Sequence, residues 1–245
     1  MNRWQGKVAV ITGASAGIGA AIARELAKAG MITVGLARRS EKLQDLKSQL
    51  TVDASERFHS VRCDVSKKDD IKRAFQEIRD RFGGVDVLIN NAGVVKQTAL
   101  FADDDGESLQ DILDTNVLGL TLCSREALKS MKARATDGHI VHINSIAGHK
   151  VLPFPHMNMY AASKHAVTAI TETMRNELRE MGSKVKVTSI SPGVVKTEIV
   201  ASLEEHRDFP KLECEDIAEA VLYVLGTPPH VQVHELTIKP VGEQF

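Results

Sequence analysis

The sequence predicts an α/β fold: one domain on a doubly wound, mostly parallel seven-stranded sheet with helices on both faces. Three observations predict it. Short runs rich in Val and Ile alternate with longer segments of helical periodicity. Several of the short runs are nearly continuously apolar, as strands buried on both faces are. The 245 residues, 43% hydrophobic and 26% charged, suit a single folded unit of this kind.

The first strand is read at Val8–Thr12 (VAVIT), with a glycine turn after it. Ala20–Ala29 is helical, because Ile22, Ala23, Leu26 and Ala27 form one apolar stripe. Ile32–Ala37 (ITVGLA) is the second strand, and Ser40 then caps a helix with Glu41 in its first turn. Phe58–Arg62 is the third strand, and Lys68–Arg81 repeats the stripe with Ile71, Ala74, Phe75 and Ile78. Val85–Asn90, His139–Asn144, Val185–Ile190 and Glu235–Ile238 complete the strands. Asp111–Met131, Tyr160–Met181 and Glu215–Leu225 complete the helices. The proline stretches Leu152–Pro155 and Phe209–Lys211 are too short to be linkers. Residues 1–245 therefore read as one domain, with a cofactor half over about 1–135 and a catalytic and substrate half over about 136–245.

A net charge of -1 gives no global field for nucleic acid or an anionic membrane, so neither is an expected partner. No window reaches the roughly 18–20 apolar residues of a membrane helix, and no secretory signal is read at the N-terminus. Cys63, Cys123 and Cys214 have no metal-ligand spacing. Reduced thiols in the cytoplasm and no bound metal are the expectation.

The glycine turn carries the first chemistry. Strand, Gly13-Ala14-Ser15-Ala16-Gly17-Ile18-Gly19 and helix follow in that order. Glycines allow close backbone approach, and the helix N-terminus offers free N–H groups to a diphosphate. The loop lacks the Lys-Ser/Thr ending of a nucleoside-triphosphate loop. Gly13, Ser15, Gly17, Ile18 and Gly19 are thus candidate dinucleotide contacts in a Rossmann-type domain. An NAD site places an acid at the end of the second strand. Here that strand ends in Ala37, Arg38 and Arg39. Guanidinium groups bind a 2′-phosphate, so NADP(H) is preferred, with NAD(H) as a weaker substitute.

With these motifs in place, the chain resembles the short-chain dehydrogenases/reductases over nearly its whole length. "TGASAGIG", "CDVS" (63–66), "NNAG" (90–93) and "SPGVVKT" (191–197) stand in the family's order. Within the family, "RWQGKVAVITGAS" and "DGHIVHINSIAGHKVLP" resemble insect NADP-dependent farnesol dehydrogenases and a related vertebrate cytosolic reductase of 17-ketosteroids and other carbonyls. The resemblance implies cofactor contacts at Asp64 and Val65, at Asn91, Ala92 and Gly93, and at Pro192, Gly193, Val195 and Thr197. It implies a catalytic set of Asn116, Ser145, Tyr160 and Lys164. Lys164 would hold the nicotinamide ribose, and Asn116 a water leading to it. Subunit helices at Asp111–Met131 and Tyr160–Met181 imply a homodimer or homotetramer.

Physical chemistry supports the set. Tyr160 and Lys164, at i and i+4, share a helix face. A neighbouring ammonium favours the phenolate, so the Tyr160 pKa is expected to fall towards the working pH, fitting a general acid/base. Ser145, just past the fifth strand, would orient the substrate oxygen. The histidines near this region show no paired carboxylate, and His142 is expected in the core. Val95, Leu152, Phe154, Met157, Ile199 and Leu203 are candidate substrate contacts. Their apolar character predicts a hydrophobic alcohol or carbonyl, with a terpenoid such as farnesol first and a steroid ketone or xenobiotic carbonyl as alternatives. A non-catalytic NADP(H)-binding sensor stays as the other class, and the complete catalytic set argues against it.

Overall fold

The structure is a computed structural model and describes residues 1–103, 106–201 and 209–243. Seven strands form one parallel sheet in the order β3-β2-β1-β4-β5-β6-β7. They are β1 (Val8–Thr12), β2 (Ile32–Ala37), β3 (Phe58–Arg62), β4 (Val87–Asn90), β5 (His139–Ile143), β6 (Lys186–Pro192) and β7 (Glu235–Ile238). The order reverses on either side of β1, between β2 and β4. A crevice opens at that point beyond the carboxyl ends of the strands, where open α/β sheets take their ligands.

Both faces are covered. Ala9 and Ile11 of β1 pack against α1 (Gly17–Lys28) and α9 (Cys214–Gly226), among Ile22, Leu26, Val221 and Val224. Val8 and Val10 point the other way, towards α4 (Lys68–Phe82), α6 (Leu120–Ala133) and α7 (Tyr160–Glu180), among Ile71, Phe75, Ala127 and Leu178. All five β1 side chains are therefore buried, which is why the strand is apolar without alternation.

Three local features depart from the expectation. α2 (Ser40–Ser48) starts one residue early, with Arg39 rather than Ser40 at the cap and Glu41 in the first turn. α3 (Val52–Arg57) and α8 (Glu198–Ala201) are short helices that the apolar periodicity does not predict; α3 buries only Ala54. The expected helix Asp111–Met131 is instead α5 (Glu107–Leu113), a wide π-helical turn over Asp114–Gly119, and α6. The turn brings the backbone against β3's exit: a Cβ on Gly119 would lie 2.5 Å from the Val65 carbonyl oxygen. Turns of this kind recur at functional sites, and this one contains Asn116.

Candidate active site

The glycine loop leaves β1 through Gly13 (φ 68°) and enters α1 at Gly17 (φ 54°), both in the left-handed region. A Cβ at 13 would stand 2.9 Å from Cα of Ala92, and one at 19 only 2.5 Å from the Gly13 carbonyl oxygen. Gly19 thus lies beneath the loop and lets α1 close on it, rather than facing the cleft. The segment after β4 is fastened to the same loop. Thr12 Oγ1 accepts the backbone N–H groups of Asn91 and Ala92, each at 3.0 Å. The Asn91 amide donates to the Thr12 and Gly13 carbonyls at 3.0 and 3.2 Å.

These elements enclose a cleft of about 430 Å³. Gly13, Ser15, Gly17 and Ile18 line it, as do Arg38, Arg39, Asp64, Val65, Asn91, Ala92 and Gly93. From the second half come Ser145, Tyr160, Lys164, Pro192, Gly193, Val195 and Thr197. The cleft suits a dinucleotide on its own geometry: side-chain-free positions at the α1 N-terminus meet the diphosphate's needs, and cations stand beyond β2. Asp64 turns its carboxylate inward to its own loop, accepting the Ser66 backbone N–H at 3.1 Å and hydroxyl at 2.7 Å.

The acid nearest Arg39 is not Glu41. Glu198 of α8, far along the chain, receives Arg39 at 3.1 Å and Lys42 at 2.7 Å. Both contacts hold the Glu198 carboxyl below the usual carboxylate range, the Lys42 hydrogen bond most. Glu243 is a second residue that sequence reasoning missed. It reaches back from beyond β7, and Oε2 accepts the Val194 N–H at 3.3 Å beside Gly193. No local pattern marks these contacts, since Arg39, Lys42 and Val194 lie far off in the chain, although Glu243 also pairs with nearby Lys239 at 2.9 Å.

At the other end, the Ser145 hydroxyl hydrogen-bonds the Tyr160 phenol and accepts the Ala147 N–H at 3.0 Å. Lys164 Nζ lies 5.8 Å from the Tyr160 ring centre and donates to the Ile143 carbonyl at 3.0 Å. Burial raises the Tyr160 pKa, and the Ser145 hydrogen bond only partly opposes it. The expected fall is thus not a property of the chain alone. Burial also lowers Lys164 to about 8. The buried Asn116 side chain does not touch Lys164. Its Oδ1 accepts the Val94 N–H at 2.8 Å, and its amide donates to Val94 O and Ser163 Oγ at 3.0 and 3.1 Å. It ties the segment after β4 to α7, one residue before Lys164.

A second cavity of about 310 Å³ adjoins the first. Leu152, Phe154 and Met157 line it with Leu100 and Val151, and Tyr160 borders both spaces. Val95 is not part of its wall. The side chain of Ile199 and all of Leu203 lie outside the described residues. Asn158 pins the wall, donating to the Lys96 carbonyl at 3.1 Å and to Thr98 at 2.6 Å. Among the histidines, His142 is buried as expected, whereas His149 does have a carboxylate neighbour, Glu235 at 3.5 Å. No group of three or more metal-ligating side chains occurs among the described residues.

The family model described as short chain dehydrogenase matches residues 7–208. The chain belongs to the short-chain dehydrogenase/reductase family. It is an oxidoreductase of that family. It is 64% identical over 245 residues to farnesol dehydrogenase of Aedes aegypti, covering 100% of both chains. It is 41% identical to the human dehydrogenase/reductase SDR family member 11, over 99% of this chain and 97% of the human one. An alcohol dehydrogenase from the archaeon Thermococcus sibiricus, solved with 5-hydroxy-NADP, superposes with a TM-score of 0.87 at 29% identity. That match covers 98% of this chain and 99% of the archaeal one. No described helix is long and apolar enough to cross a membrane.

Proposed function

We propose that this short-chain dehydrogenase oxidises a hydrophobic alcohol, farnesol first among candidates, with NADP⁺ and with Tyr160 as the general acid/base. One observation carries the reading: Tyr160 stands where the dinucleotide cleft and the apolar cavity meet. An alcohol seated in the second cavity would present its hydroxyl to the phenol and to Ser145. The likeness to the mosquito enzyme favours a terpenoid within that class.

The glycine loop would hold the diphosphate, and Arg38 and Arg39 the 2′-phosphate. When bound, the nicotinamide supplies the hydride acceptor and, in its oxidised form, a positive charge near the phenol. Ser145 orients the substrate oxygen by hydrogen bonding. Tyr160 takes the hydroxyl proton at its phenolic oxygen in oxidation and returns it in reduction. Lys164, held by the Ile143 carbonyl, offsets the burial of the phenolate. Asn116 is a positioning residue that fixes Val94 and α7. The free cysteines Cys63, Cys123 and Cys214 fit a cytoplasmic setting.

Nicotinamide absorbance with farnesol, geraniol, a 17-hydroxysteroid and a simple secondary alcohol tests this reading. Turnover with farnesol and NADP⁺ that exceeds turnover with NAD⁺ is expected. Binding of NADPH with no turnover of any alcohol, nor of the matching carbonyls, would favour the sensor class. The helices α6 and α7 are proposed to pair in a homodimer or homotetramer. Sedimentation at micromolar concentration should show no dominant monomer.

A further inference from the structure

The carboxylate of Glu198 occupies Arg39, one of the two cations expected to receive the cofactor's 2′-phosphate, and the neighbouring Lys42. Its Oε2 takes Arg39 at 3.1 Å, and its Oε1 takes Lys42 at 2.7 Å. Arg39 also donates to Ser15 Oγ of the glycine loop at 3.3 Å. Arg39, Ser15 and Glu198 all line the dinucleotide cleft. Two cations from the second strand's exit therefore converge on one anion, and one of them, Arg39, is also held by the glycine-loop hydroxyl. That anion comes from α8, 156 residues beyond Lys42 in the chain.

We propose that Glu198 is an internal competitor for the 2′-phosphate and that Lys42 is a further residue of the 2′-phosphate subsite. Together they set how strongly the enzyme prefers NADP(H) over NAD(H). The inference rests on the dinucleotide reading of the cleft.

The physical case is one of exchange. An acid fixed at the end of the second strand rejects a 2′-phosphate permanently, because it cannot leave. A carboxylate arriving from another segment can be displaced. The side chains of Arg39, Lys42 and Glu198 are 43%, 40% and 57% exposed, so the resident bridge is a weak surface pairing. A phosphate monoester brings close to two charges and three acceptor oxygens, and it engages a guanidinium through paired bonds. It can satisfy Arg39, Lys42 and Ser15 together. Part of its binding energy goes into expelling Glu198, which lowers the net preference below what the cations alone would give. With NAD(H) bound, nothing displaces Glu198 and the bridge persists.

Calorimetric titration with 2′,5′-ADP and 5′-AMP isolates this subsite, because the two differ only in the 2′-phosphate, neither has a nicotinamide and no turnover is needed. Glu198→Gln keeps the side-chain size but removes the charge. It is expected to tighten 2′,5′-ADP about three- to tenfold relative to 5′-AMP. Lys42→Ala is expected to weaken 2′,5′-ADP by a similar factor on the same ratio. In the double variant the gain from Glu198→Gln should shrink, since one of its partners is gone. The NADPH to NADH ratio of dissociation constants should move in the same directions. Wild-type protein that prefers 2′,5′-ADP, with a ratio unaltered by Glu198→Gln and Lys42→Ala, overturns this inference and leaves the NADP(H) reading standing. No preference for 2′,5′-ADP in any form overturns both.

Discussion

Tyr160→Phe is expected to lower kcat/KM at least a thousandfold while leaving NADPH affinity within a small factor of wild type. The substitution removes one oxygen and keeps the ring. The packing of that ring and its 5.8 Å approach to the Lys164 ammonium survive, so the fold and the cleft should survive as well. What disappears is, among the described residues, the only proton-exchanging atom that both cavities share. Ser145 remains, but a serine hydroxyl orients an oxygen far better than it exchanges a proton near neutral pH. Burial holds the Tyr160 phenol up, so the phenolate is scarce at neutral pH. Oxidation by the wild type should therefore accelerate as pH rises towards the phenol's pKa. NADPH binding followed by fluorescence, beside steady-state rates from pH 6 to 10, separates the two roles. Near-wild-type turnover in Tyr160→Phe would remove the tyrosine from the chemistry.

Much of the fold is legible because burial on both faces writes itself into β1 and β2 as nearly unbroken apolar runs. The stripes of α1 and α4 are equally plain, and each residue named on them is buried. The π-helical turn is not legible. Widening one turn changes which carbonyls pair but leaves the composition helical, and Gly119 is its only trace. The site divides the same way. Residues of the glycine loop, the segment after β4 and the start of α7 come together in one cleft because each sits at the end of a readable element. Glu198 and Glu243 enter from distant segments, so their roles depend on tertiary geometry that no local spacing encodes. The Tyr160 environment shows a related limit. Spacing shows the lysine, but the burial that raises the phenol belongs to the assembled core.

Acid should unfold this protein well above the pH at which its carboxylates titrate, through two histidines of β5. His139 and His142 are fully buried, and desolvation lowers each to about 3. Lys186 and Arg3 add to the effect at His139, and Arg175 and Lys164 at His142. Each ring has one polar partner: Thr188 for His139 and Thr171 for His142, both at 2.9 Å. The other nitrogen of each ring is buried without a hydrogen bond. Folded, both rings stay neutral; unfolded, both take up a proton below about pH 6.5. The unfolded state thus binds more protons, and stability falls as pH drops from 6.5 towards 3. Two such groups remove about 2.7 kcal/mol per pH unit in that window, or roughly 5 kcal/mol by pH 4.5. That is a large share of the 5–15 kcal/mol of a typical domain. Urea unfolding at pH 7.0, 5.5 and 4.5 should show midpoints falling steeply over a range in which most carboxylates remain ionised. Ring-proton resonances of two histidines should stay fixed above pH 4.5 in the folded protein. Titration of all ring signals near pH 6.5 would refute the account. Because His142 bonds to α7, the helix that carries Tyr160 and Lys164, acid inactivation should track loss of structure rather than protonation of the catalytic phenol.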